Sequence, residues 1–88
     1  MEVTPETVQR LRSLIVSAAR VASSRFMPAF HVNWNYGMLR GLCDAARILD
    51  LTLDEVGLAA WPHGSREDWM AACVEEQNRQ AQRDGPEI

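Results

Sequence analysis

The chain has 88 residues, 47% of them apolar and 24% charged, the balance of one globular domain rather than of a disordered or membrane-embedded polypeptide. No apolar run reaches the roughly 18 residues of a membrane-spanning helix. No signal peptide is apparent, so a cytoplasmic location is expected. Charge is unevenly placed. Residues 1–49 carry six Arg against Glu2, Glu6 and Asp44, for +3, while residues 50–88 carry three Arg against nine acids, for −6, which gives the net −3. That balance argues against general affinity for nucleic-acid phosphates, which relies on clustered positive charge. The polarity between halves suits either head-to-tail self-contact or an electropositive partner, or it is the ordinary difference between solvated helix faces.

Thr4-Pro5-Glu6 reads as a helix start: a Thr N-cap, a Pro whose missing N–H is harmless at the first position, and an acid favourable to the dipole. Val8, Leu11, Ile15, Ala18 and Ala22 then recur at helical spacing, with Leu14 and Val21 widening the stripe, over about residues 5–24. From Ser23 to Asn35 the pattern breaks at Pro28, and Phe26, Met27, Phe30, Val32 and Trp34 crowd what reads as an irregular, aromatic-rich connection. Those rings either plug the open end of the bundle or form a partner-binding patch.

Asn35 is the expected N-cap of a second helix over about residues 35–49. Met38, Leu39, Leu42, Cys43, Ala45, Ala46, Ile48 and Leu49 leave only Arg40, Asp44 and Arg47 polar, the pattern of a buried central helix. Gly37, Gly41 and Ala45 stand four apart and form a small-residue groove that admits a second backbone, from the same chain or from another copy. Thr52-Leu53-Asp54-Glu55 is a capping box, opening a third helix that Pro62 is expected to stop after Trp61, over about residues 53–61. Ser65 caps a fourth over about residues 66–82, polar after Val74. The expected fold is an all-α compact bundle of four helices, a single domain over residues 1–83, with 84–88 as a mobile tail.

The chemistry-bearing residues form no recognisable constellation. His31, Cys43, His63 and Cys73 match no paired-ligand spacing of structural zinc, two cysteines are too few for a disulfide framework, and both sit among apolar helical positions. Adjacent acids such as Asp54-Glu55 and Glu75-Glu76 diverge along their helices. No metal, cofactor or catalytic group is expected, and there is no Gly-rich phosphate loop.

The segment Ala46-Arg47-Ile48-Leu49-Asp50-Leu51-Thr52-Leu53-Asp54-Glu55-Val56-Gly57 resembles the start of repressor-type helix-turn-helix domains. The resemblance covers about a dozen residues and implies a DNA-binding transcriptional regulator. Two departures oppose that reading. The turn Trp61-Pro62-His63-Gly64-Ser65 is longer than usual, and Glu67 and Asp68 stand where phosphates should be met. The favoured expectation is a non-enzymatic regulator, adaptor or inhibitor acting on a larger protein as a homodimer, since so short a chain has a thin core. Phe26, Phe30, Trp34, Trp61 and Trp69 are its candidate contact residues, with Arg40 and Arg47 as charged guides. A degenerate DNA-binding regulator is the alternative.

Overall fold

The computed structural model describes residues 3–83, so the expected tail at 84–88 lies outside the described residues. All elements are helical, with no strand among the described residues: α1 (Pro5–Ala22), α2 (Ala29–Ile48), α3 (Leu53–Val56) and α4 (Arg66–Arg83). Thr4 caps α1 by accepting the Thr7 N–H at 3.2 Å, with Pro5 in the first turn. Ile15, Ala18 and Ala22 are buried and Val8 and Leu11 pack against the core, as the spacing requires. Leu14 instead faces outward, because no element covers that side of α1.

α2 corrects the sequence expectation most. It begins at Ala29, not after Asn35, because Pro28 occupies the N-cap with φ −57° and starts a helix rather than ending one. Its missing N–H is no loss where the first N–H groups have no partner anyway. Asn35 lies inside the helix, its side-chain amide donating to the His31 carbonyl at 2.9 Å. The aromatic-rich connection is therefore largely the first turns of α2. At the far end Asp50 takes the left-handed conformation, φ 58°, and the Leu51 N–H folds back onto the Ala46 carbonyl at 3.0 Å.

The Thr52 capping box forms as expected: Glu55 N–H donates to Thr52 Oγ1 at 3.2 Å, and Thr52 N–H to Glu55 Oε1 at 2.9 Å. The helix it opens is one turn long, and Gly57 ends it, not Pro62. With φ +77°, Gly57 donates to the Leu53 carbonyl at 2.8 Å, and Leu58 donates to the same carbonyl at 3.0 Å. That is a Schellman-type stop, which a glycine accepts without the steric penalty of a side chain. α4 opens at the expected residue, with Ser65 and Asp68 exchanging backbone-to-side-chain hydrogen bonds at 3.1 Å.

The core lies between α1 and α2, with α3 laid on α1 and α4 attached mainly by its first turns. Trp69, 2% exposed, is the aromatic plug. Its indole N–H donates to the Ala60 carbonyl at 3.0 Å, and its ring lies 5.7 Å from that of Tyr36. The Tyr36 hydroxyl donates to the carbonyls of His63 and Gly64, each at 3.1 Å. Arg66 closes the C-terminus of α1, donating from Nε to the Ala22 carbonyl and from Nη2 to the Ser24 carbonyl at 3.0 Å. Arg12 does the same for α3 at the Asp54 carbonyl, 3.0 Å away.

Trp69→Ala is expected to lower the unfolding free energy by about 3–5 kcal/mol, the usual range for a buried Trp. Gly57→Ala is expected to destabilise too, because the new Cβ meets Val16 Cγ2 at 3.0 Å in a left-handed backbone. Urea denaturation followed by circular dichroism measures both.

Candidate functional site: the outer face of α2

A helix turns about 100° per residue, so each residue has a fixed bearing around the axis. Val32, Tyr36, Leu39, Cys43 and Ala46 are buried and define the inner face of α2. Gly41 lies diametrically opposite. Trp34 and Ile48, seven residues before and after it, lie within about 20° of the same line. Phe30, Gly37, Met38 and Ala45 flank them, and all of these residues are exposed.

The exposure is large. Phe30 is 72% exposed, Trp34 63% and Ile48 81%, and Met38 is also open to solvent. Phe26, at 97%, and Met27 extend the apolar surface past the N-terminus of α2. Phe30 and Trp34 stack on each other, centroids 6.2 Å apart and 26° between planes, so they stand as one aromatic ridge. A Cβ added at Gly37 or Gly41 would meet nothing within 4 Å. Thus α1 does not fill the small-residue groove, and α2 is buried on one face only. The aromatic segment does not plug the bundle either: of its apolar residues only Val32 turns inward.

The sequence-predicted contact residues divide accordingly. Phe26, Phe30 and Trp34 lie together on the apolar surface, and Arg40 is exposed on the flank of α2, its Nη1 only 3.5 Å from the Gly64 carbonyl. Arg47 sits with its guanidinium carbon 5.7 Å above the Trp61 ring, a cation–π arrangement that leaves Trp61 half-buried. Trp69 is a core residue and presents no surface for contact. Met38 and Ile48 belong to the exposed face although the sequence reading counted them on a buried central helix. Their bearing opposite Leu39 and Cys43 was the available signal.

A second concavity, of about 380 Å³, lies between α1 and α4, floored by Val16, Leu58, Trp69, Met70 and Cys73. It is mainly apolar, with Arg20, Ser23 and Gln77 on its walls. Among the described residues no three His, Cys, Asp or Glu side chains converge to hold a metal ion. No helix among the described residues is long and apolar enough to cross a membrane. The helix-turn-helix resemblance meets two geometric departures. α3 is one turn long and residues 57–65 separate it from α4, where that motif uses roughly three or four. Arg66, which would approach phosphates at the start of α4, is engaged with α1 carbonyls.

Both cysteines are free. Burial pushes the Cys43 thiol up from 9.0 to about 11, with the nearby Asp44 carboxylate adding to the effect and Arg47 opposing it. Burial raises Cys73 and Tyr36 as well. They behave as protonated packing groups at neutral pH. The chain matches no family model, no curated protein and no solved structure with which it was compared.

A raised acid pKa favours the protonated, folded form. The stability contributed by Cys43 is therefore complete below pH 9 and is lost as pH rises towards 11, with Tyr36 acting in the same sense. The urea midpoint is expected to fall across that interval and to fall less in Cys43→Ala. Denaturation curves at stepped pH check this.

Proposed function

We propose that the protein is a small non-enzymatic regulator, adaptor or inhibitor that works as a homodimer by occupying the surface of a larger protein. The observation that carries this reading is the outer face of α2: a continuous apolar surface on the side of the helix turned away from the core. Water-exposed apolar surface of that extent is disfavoured in an isolated domain, and aromatic residues are enriched where proteins bind one another. Phe26, Phe30 and Trp34 form the aromatic part of the interacting surface, with Arg40 and Arg47 on its flank steering approach. The acidic second half of the chain favours a partner with positive charge opposite it.

The reading requires no cofactor and no metal, and it fits a small chain whose core is thin without a neighbour. Duplex DNA as the partner has no comparable support in the geometry, given the engaged Arg66 and the acids Glu67 and Asp68 beside it.

Affinity capture with the unsubstituted chain is expected to retain a specific protein that the triple variant Phe26→Ala, Phe30→Ala, Trp34→Ala loses at least tenfold, with helicity unchanged. Equal capture by both chains would remove the α2 face from the contact.

A further inference from the structure

We infer that the outer face of α2 is where the chain pairs with a second copy of itself, the two α2 helices running antiparallel and crossing at Gly41. This rests on the interaction reading above and divides that face: a second copy covers the stretch from Phe30 to Ile48, and the larger protein meets the dimer at Phe26 and Met27 beyond the N-terminus of α2. The line Trp34, Gly41, Ile48 has its smallest member at the centre and a large side chain two turns to either side. An isologous contact requires a patch that complements its own rotated image. Rotation about an axis beside Gly41, perpendicular to the helix, sets Gly41 on Gly41 and Trp34 level with Ile48 of the second copy, with the small residues Gly37 and Ala45 on either side of the crossing. Backbones approach closely at the small residues, and crossing helices diverge towards their ends, where Trp34 and Ile48 fill the widening gap.

Charge selects the direction. Asp44 and Arg40 lie on the same flank of α2, on opposite sides of the crossing point, and among the described residues Asp44 has no ion-pair partner. In an antiparallel pair each flank meets the same flank of the other copy, reversed. Asp44 of each chain then faces Arg40 of the other, twice. A parallel pair would turn Asp44 towards the opposite flank, with Met38, Ala45 and Leu49, and leave it unpaired.

Area sets the strength. Taking roughly 200 Å² for a fully exposed large side chain, Phe30, Trp34, Met38 and Ile48 offer about 500 Å² per copy. Two copies would hide about 1,000 Å², the lower end for specific association, so the dimer exchanges with monomer on dilution. The glycines add a separate reason. Gly37 and Gly41 each weaken α2 by about 1 kcal/mol relative to Ala, and nothing within the subunit packs against them to offset it.

Sedimentation equilibrium across a concentration series tests the pairing. The unsubstituted chain is expected to pass from 9.9 kDa towards twice that mass. Gly41→Leu is expected to raise the dissociation constant at least tenfold while its melting temperature, read on the monomer, holds or rises. Arg40→Asp is expected to weaken the dimer and the exchange Arg40→Asp with Asp44→Arg to restore it. Under mild oxidation Trp34→Cys chains mixed with Ile48→Cys chains should cross-link, and Trp34→Cys chains alone should not. A chain that stays monomeric throughout would overturn both this pairing and the homodimer in the proposed function. Dimers that ignore Gly41→Leu would overturn the seam while leaving the homodimer standing. Cross-linking of Trp34→Cys to itself would overturn the antiparallel direction.

Discussion

The contact on which the rest depends is the one between Tyr36 and Trp69. Tyr36 projects from the inner face of α2, packs at a tilt beside the indole of Trp69 and ties down the turn before α4 through the carbonyls of His63 and Gly64. Trp69 in turn holds the stretch after α3 through Ala60. Two aromatic side chains thus fasten the turn before α4 and the first turn of α4 to the α1–α2 pair, and Arg66 adds hydrogen bonds to the C-terminus of α1. Since Tyr36 must point inward, the bearing of every other α2 residue follows, and Gly41, Trp34 and Ile48 must point out.

The same arrangement explains why so small a chain tolerates such a surface. With α3 reduced to one turn and α4 polar beyond Val74, the described residues supply helical cover for one side of α2 only. Polar residues on the uncovered side would have left an ordinary amphipathic helix. The uncovered side instead carries the most exposed large apolar residues in the described chain, gathered between Phe26 and Ile48. The stability of the folded chain gives no account of that placement, because solvated Phe, Trp and Ile add nothing to folding and lower solubility.

Much of the fold was legible in residue types with one local meaning. Thr4-Pro5 and the Thr52 and Ser65 boxes placed three helix starts correctly, since a hydroxyl or carboxylate that satisfies an orphan N–H works through neighbours three residues away. Misreadings occurred where one residue has two opposed uses. Pro28 breaks a helix from inside and begins one from outside, and only the chain after it decides which. Gly57 inside a helical pattern is a mild defect, but in the left-handed conformation it is a stop, and the stop won because Leu58 could then reach back to the Leu53 carbonyl.

The candidate surface exposes a deeper limit of periodicity. A helix apolar on nearly all sides announces that both faces are to be covered, without saying whether the cover comes from its own chain. Reading α2 as the buried centre of a four-helix bundle assumed that four helices were enough. Their lengths decide otherwise: a helix of 20 residues is about 30 Å long, and a one-turn α3 with an α4 fastened at its start covers only part of such a cylinder. The apolar residues were read as covered from within the chain, and the described helices leave the outer face of α2 open. Whether an apolar stripe is core or interface is settled by counting the surface available to cover it, a property of the whole chain that no window of sequence contains.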